Sequence, residues 1–223
     1  MATAMEASTV LTYIDGFNDE TDPSLASNYR LAFAMDAPFE LRTQDTAEGP
    51  QQVGTLEALS VKVLVQGSDC DLQAVRVELS SETDLFFHYS CTLLEHEFVL
   101  TLGETLGVDF PEVPNLLKRM LLAVSRDPQT QMAVFVVESN SKRLGRLDFI
   151  QSSEERFDEL LSLPFLPTSE AVVQSMVRFR YNELKTKLAL ATARLQEVGT
   201  VAKAHPEVIQ KLAVKNARDK RSS

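Results

Sequence analysis

Three side chains near the middle of the chain have the residue types that metal sites and nucleophilic catalysis require. His88, Cys91 and His96 are spaced H-x2-C-x4-H, which would offer a thiol beside an imidazole base, or three ligands for a metal ion. A structural zinc site needs four ligands, and alternate residues of a strand point to opposite faces. We therefore expect a buried Cys91 with His88 or His96 near the surface, and no metal site.

Other motifs for catalysis are missing from the sequence. It contains no G-x-x-x-x-G-K-[ST], G-x-G-x-x-G, H-E-x-x-H or G-x-S-x-G pattern, and its 8 glycines are scattered. Glu95 and Glu97 are not neighbours on a helix, where residues two apart point to different sides, so they do not form an acid–base pair there. The sequence therefore predicts no catalytic residue, no cofactor and no metal, which favours an assembly role over an enzyme.

Composition excludes several classes of protein. The chain has 223 residues, 44% of them apolar and 24% charged, which is ordinary for a globular protein. No apolar run approaches the roughly 20 residues that span a bilayer, and the N-terminus does not resemble a signal peptide. Two cysteines cannot form a disulfide scaffold. These features predict an intracellular protein with no membrane partner.

Charge and patterning predict four regions. Residues 1–50 carry nine acidic and two basic side chains and are expected to form an acidic, largely disordered arm. The alternative is that Leu31, Phe33, Met35 and Phe39 dock on the body as a strand, because they alternate with polar or small residues. A β-rich head is expected over 51–168, a helix over 169–205 and a basic tail over 206–223.

Alternating apolar residues predict two strands of the head, aromatic and small residues predict a third, and two later segments are predicted as a fourth and a fifth. The segments are Leu59–Val65, Leu72–Leu79, Asp84–Leu93, Met132–Glu138 and Leu144–Gln151. Helices are predicted at Pro111–Lys118 and Ser152–Leu161. Arg119–Ser125 either continues the first helix or forms a buried strand, since so short an apolar run does not distinguish them. The predicted fold class is α+β, a small β-sandwich or barrel with a helical insert.

The clearest periodicity lies in the last predicted helix. Apolar residues follow one another at alternating steps of four and three: Val177, Tyr181, Leu184, Leu188, Ala191, Leu195 and Val198. A repeat of 3.5 residues keeps one stripe facing a partner helix, which is typical of a coiled coil. The stripe either packs on the protein's own body or forms a short two-chain coiled coil. Tyr181 and Ala191 are poor core residues, so we expect weak dimerisation.

Several segments of the head resemble one known family. They are ETDLFFHY at Glu82–Tyr89, GVDFP at Gly107–Pro111 and, most specifically, VVESN at Val136–Asn140 followed by spaced leucines. In this order they resemble the head of the spindle assembly abnormal protein six family, which builds the centriolar cartwheel. The resemblance covers roughly residues 53–200, and the short helix makes the chain most similar to the family's short "like" relative without a long coiled coil.

The resemblance implies a barrel-like head followed by a parallel two-chain helix. In that family the heads also pair through a loop between two strands, which carries a bulky apolar anchor. If Arg119–Ser125 is the preceding strand, the loop here is Arg126–Gln131. Gln131, Met132 and Ala133 are then the expected head-to-head contact, and Met132 is the nearest anchor.

The same resemblance implies a function. We expect a non-enzymatic, self-associating structural protein of the basal body, the base of the flagellum or the apical cytoskeleton, with itself and other basal-body or flagellar proteins as partners. The alternative is a scaffold of DNA end joining, which has the same head fold and would bind DNA or a repair partner through the basic tail. An acidic chain makes nucleic acid the weaker expectation.

Overall fold

The computed structural model describes residues 21–45, 51–68, 71–98, 107–140, 142–152 and 156–204. Asp22–Val177 form one compact unit, the head. The C-terminal helix belongs to the head up to Val177 and to a second unit beyond it. The predicted basic tail and residues 1–20 of the predicted acidic arm lie outside the described residues.

In the part of the chain that the structure describes, seven strands form a closed barrel in the spatial order β1-β2-β3-β4-β7-β6-β5. Neighbouring strands are antiparallel except β1 and β5, which run parallel and close the barrel. The strands are β1 Arg30–Gln44, β2 Gln51–Ser68, β3 Asp71–Ser81, β4 His88–Leu94, β5 Gln131–Glu138, β6 Gly145–Ser152 and β7 Phe157–Pro167. The predicted α+β head is confirmed as a barrel with helices.

Three α-helices lie within the described residues: α1 Glu95–Phe98, α2 Val113–Arg126 and α3 Glu170–Ala204. Val113, Leu117, Leu121 and Val124 recur at helical spacing on α2 and are all buried in the barrel core. This apolar face places α2 in the core with the inward-facing strand residues. The helix therefore continues through Arg119–Ser125, and the strand alternative for that segment is wrong.

An aromatic cluster fills the barrel near β4 and β5. The Phe135 ring lies 5.7 Å from Phe87, 5.1 Å from Tyr89 and 5.6 Å from Phe165, measured between centroids, in edge-to-face arrangements. Aromatic pairs favour this geometry because the positive edge of one ring meets the negative face of the other. Residues from β4, β5 and β7 are thereby held together in the interior.

The predicted boundary between arm and head at residue 51 requires correction. Arg30–Gln44 is a barrel strand with Ala37 and Phe39 buried, so the strand alternative describes this stretch and the disordered-arm expectation is wrong for it. Leu31 remains 48% exposed, whereas Phe33 and Met35 are partly buried against the core. A short apolar island in a polar region pairs here because both β2 and β5 supply partners.

The helix predicted over Ser152–Leu161 is also wrong in its described part. Phe157–Pro167 is strand β7, paired with β6 along its length. The acidic residues before Phe157 resemble a helix start, but Leu161, Leu163 and Phe165 alternate into the core. Pro164 is tolerated in β7 because the ladder to β4 is limited to Tyr89–Pro167 and Ser90–Leu166.

Candidate self-association surfaces

A segment before β1 fastens the beginning of α3 to the outer face of the barrel. We call Asp22–Tyr29 the strap; it includes a 3-10 helix, Pro23–Asn28, whose first turn is capped by the Asp22 carboxylate. Ser24 is fully buried, and its Oγ lies 2.6 Å from Glu78 Oε2 and 3.8 Å from Met176 Sδ. The strap, β3 and α3 therefore meet at one hydroxyl group.

Glu78 is the charged centre of this junction. Its carboxylate is buried, with Oε1 at 3.0 Å from Arg76 Nε and Oε2 at 4.0 Å from His88 Nε2. His88 Nδ1 in turn lies 2.8 Å from Thr168 Oγ1, just before α3 begins. Arg76 also donates a hydrogen bond to the Ser24 carbonyl and stacks on the Tyr29 ring at 4.0 Å. Glu78 and Arg76 thus form an ion pair, as buried charges require, although the geometry at Arg76 Nε is not that of a hydrogen bond.

The strap is tied to β2 by an ion pair. Lys62 Nζ lies 2.6 Å from Asp22 Oδ2 and 3.1 Å from Ser24 Oγ. Burial opposes ionisation of Asp22, but hydrogen bonds from Lys62 and the Ser24 backbone, together with the Lys62 charge, outweigh it and lower the pKa of the carboxyl group. This pair contributes stability above the ordinary pKa of an aspartate, and the contribution is lost as pH falls through the lowered value.

The predicted apolar stripe of α3, which we call the seam, is exposed beyond its first residue. Val177 is half-buried, whereas the exposed fractions are 64% for Tyr181, 65% for Leu184, 68% for Leu188, 72% for Leu195 and 63% for Val198. Ala191 is exposed as well. Within the described residues the seam is therefore open to solvent, and large apolar side chains at this exposure are a candidate interface.

The seam is bordered almost entirely by positive charge. In a coiled coil, the residues just before the a positions of the seam (here Tyr181, Leu188 and Leu195) and just after its d positions (Val177, Leu184 and Ala191) face the flanks of the partner helix and determine which partner is accepted. Between Val177 and Val198 five of these six positions are basic and the sixth is Thr192. The basic residues are Arg178, Arg180, Lys185, Lys187 and Arg194. Lys187 also contacts Glu183 of its own helix at 2.7 Å.

The head-to-head contact was expected in a loop between two strands, and the structure places a helix before that loop instead. Arg126–Gln131 follows helix α2 rather than a strand, so it is not a loop between two strands. Ala133 is only 2% exposed and belongs to the barrel core. Gln131 and Met132 are half-buried on β5. A single chain does not test the contact between two heads, so the head-to-head contact through Gln131, Met132 and Ala133 stays a prediction.

His88, Cys91 and His96, the three candidates for metal binding or nucleophilic catalysis, lie in different surroundings and are not grouped as metal ligands in the described residues. Cys91 is buried, and burial together with the negative charge of Glu97 raises the pKa of its thiol to about 12. His88 is buried in the junction, whereas His96 is exposed on α1, as expected for one of the two histidines. Across the described ranges, no group of three or more His, Cys, Asp or Glu residues could hold a metal ion.

A cavity of about 340 Å³ lies on the outer side of β5, β6 and β7. Its ionisable groups are already engaged, since Arg146 Nε contacts Asp148 Oδ1 at 2.9 Å and Glu138 Oε2 accepts a hydrogen bond from Asn140 at 2.6 Å. The cavity is not lined by His88, Cys91 or His96.

In the part of the chain that the structure describes, no helix is both long and apolar enough to cross a membrane.

Sequence reasoning missed the junction. Asp22, Pro23 and Ser24 fall within the predicted disordered arm, and Arg76 and Glu78 alternate with the apolar residues of the predicted strand Leu72–Leu79, so its pattern predicts that they face solvent. Asp-Pro-Ser is a recognisable helix start, with a capping side chain before a proline. The contact from this helix start to β3 spans 54 residues, between Ser24 and Glu78, and local patterns carry no signal of it.

One family model matches most of the head. Residues 31–165 match the model of the centriolar protein SAS N-terminal domain, which includes β1 and ends in β7. A comparison with curated proteins gives no significant match.

Solved structures of three organisms share the fold. An N-terminal fragment of Leishmania SAS-6 with part of its coiled coil matches with a TM-score of 0.60 and 20% identity, over 77% of this chain and 97% of that chain. An N-terminal fragment of Drosophila melanogaster Sas-6, dimerised via the coiled-coil domain, matches with 0.63 and 12%, over 91% and 96%. An N-terminal coiled-coil dimer of C. elegans SAS-6 matches with 0.54 and 14%, over 81% and 98%. At sequence identities this low, the structural matches establish the shared fold and nothing more.

Proposed function

Since the chain belongs to the family of the centriolar SAS N-terminal domain, we propose that it is a non-enzymatic structural protein that pairs with a second copy of itself through the seam of α3. The observation that carries the proposal is the row of exposed apolar residues from Tyr181 to Val198. Two related heads in solved structures are dimers through their coiled coils, which supports the same arrangement here.

Pairing through this seam is expected to be weak. Tyr181 and Ala191 fill core positions poorly, and the basic flanks of two copies face each other whether the helices are parallel or antiparallel. Repulsion between exposed like charges is screened by salt, because the Debye length falls from about 30 Å at 0.01 M to about 3 Å at 1 M ionic strength. Self-association therefore has a characteristic salt dependence.

Sedimentation equilibrium tests the proposal on the purified full chain. We expect a reversible monomer–dimer equilibrium at a concentration of about 100 μM, and the dimer fraction should rise when NaCl is increased from about 50 mM to about 500 mM, since screening relieves the repulsion of the flanks. A single monomer mass at both salt concentrations contradicts pairing of the seam. A dimer that dissociates as salt rises contradicts an apolar seam between basic flanks.

We also propose that the protein is located at the basal body, the base of the flagellum or an apical cytoskeletal structure, as its family suggests. The DNA end-joining alternative gains no support from the family match, and no DNA-binding function is proposed. A fluorescently tagged copy in a flagellated cell should label a point at the flagellar base that coincides with a centriolar marker. Diffuse nuclear labelling would overturn this location.

A further inference from the structure

The N-terminal segment of the chain has the composition of a partner for the seam. Residues 1–20 contain four acidic side chains, Glu6, Asp15, Asp19 and Glu20, and no lysine or arginine. Apolar residues recur in this segment at steps of three, four and three: Ala7, Val10, Ile14 and Phe17. As a helix, the segment would present an apolar stripe with negative charge beside it, which complements a seam with basic flanks.

The strap brings this segment to the seam. Ser24 touches Met176, the residue before the first seam residue Val177. The strap, to which the segment is covalently joined, therefore lies beside the start of the seam, and such a tether raises the local concentration of the segment far above that of a second molecule. The segment leads toward the strap while α3 leads away from its own start, so the two would run antiparallel.

Length and register agree with such a pairing. A helix of 20 residues is about 30 Å long, and the seam from Val177 to Val198 covers about 32 Å at 1.5 Å per residue. An antiparallel register places all four residues of this stripe opposite a seam residue: Phe17 at Tyr181, Ile14 at Leu184, Val10 at Leu188 and Ala7 at Ala191. The same register puts Glu20 beside Arg180 and Glu6 beside Arg194.

We propose that residues 1–20 bind the α3 seam of the same molecule and thereby compete with pairing between two copies. This inference rests on the proposed function, because it describes regulation of the same seam. A seam that is covered by its own acidic segment lowers the apparent affinity for a second copy in proportion to the fraction of molecules in which it is open. Removal or capture of the segment then switches the chain toward dimers.

Dimerisation constants of four forms of the full chain provide the first test: the wild type, a chain without residues 1–20, Ile14→Asp and Thr12→Asp. Deletion and Ile14→Asp should each strengthen dimerisation about tenfold, because both uncover the seam. Thr12 lies on the opposite face of a helix from the apolar stripe, so Thr12→Asp adds the same charge as Ile14→Asp and should leave the constant unchanged. Equal constants for Ile14→Asp and Thr12→Asp overturn the proposal.

A second readout does not depend on dimerisation. Spin labels on Ser8→Cys and Gln196→Cys, in a chain with Cys70→Ser and the buried Cys91 retained, report the distance between segment and helix in dilute monomer. We expect one short, narrow distance that Ile14→Asp abolishes and Thr12→Asp preserves. A broad distance distribution in the doubly labelled chain without further substitutions overturns the inference. The same short distance in a mixture of two singly labelled chains also overturns it, because the segment would then bind the seam of another molecule. If no form dimerises, the proposed function fails while this measurement still decides the inference.

Discussion

Replacing Leu188 by aspartate should abolish the dimer and leave a folded monomer. Leu188 is the central large residue of the seam and is 68% exposed in the single chain, so the change costs the monomer little. In a dimer, two aspartates would face each other at the centre of an apolar interface, and a buried unpaired charge is costly by several kcal/mol. Such a loss weakens association by two orders of magnitude or more, since about 1.4 kcal/mol corresponds to a factor of ten.

Leu190→Asp is the matched control for this prediction. Leu190 lies on the same helix, is 39% exposed and does not belong to the seam, so the same substitution should leave the dimer intact. Circular dichroism on both variants checks that the helix and barrel are retained, and sedimentation equilibrium gives the two association constants. Equal constants for the two variants would show that some surface other than the seam holds the dimer.

Replacing Glu78 by alanine should destabilise the head by about 3–5 kcal/mol, because it leaves a buried charge without its partner. The carboxylate of Glu78 contacts Arg76 at 3.0 Å and accepts a hydrogen bond from the buried Ser24 hydroxyl at 2.6 Å. Its loss leaves both groups without this partner and loosens the attachment of the strap and the first turns of α3. A loss of this size is a large part of the stability of an ordinary domain, about 5–15 kcal/mol.

Glu40→Ala provides the comparison, because Glu40 and Arg42 form the same kind of pair two residues apart on a strand. Their side chains are 26% and 28% exposed, and the oxygen and nitrogen are 2.9 Å apart. Exposed pairs contribute at most about 1 kcal/mol, so this variant should unfold near the wild-type urea midpoint. Urea unfolding of both variants measures the difference, and midpoints that agree within error would refute a structural role for the Glu78 carboxylate.

The sequence made strands β2 to β6 predictable, most clearly β2 and β3, whose apolar residues alternate. Leu59, Val61 and Val63 on β2 and Val75, Val77 and Leu79 on β3 are buried in the core, as their spacing predicts. The seam of α3 was predictable for the same reason, since seven residues repeat at heptad spacing. Periodicity over several turns or several strand residues carries enough information to assign an element and its face.

The features that the sequence did not predict depend on partners far away in the chain. β1 becomes a strand because β2 and β5 flank it, although its surroundings are polar and acidic. β7 has local signals of a helix start that pairing with β6 overrides. The junction joins Ser24, Glu78 and Met176. Each of these is a tertiary interaction, and composition or spacing within a short window does not report it.

Barrel closure sets an order of events during synthesis of the chain. The closing pair β1–β5 joins Glu40 to Val134, which are 134 − 40 = 94 residues apart, so β1 must wait for β5 to be translated. Contacts of such long sequence separation slow folding, because the loop must close before the contact stabilises it. The seam begins still later, at Val177, so a nascent head can close before its pairing helix is complete. Newly made copies would therefore meet as folded heads, which limits mispairing of exposed strands between neighbouring nascent chains.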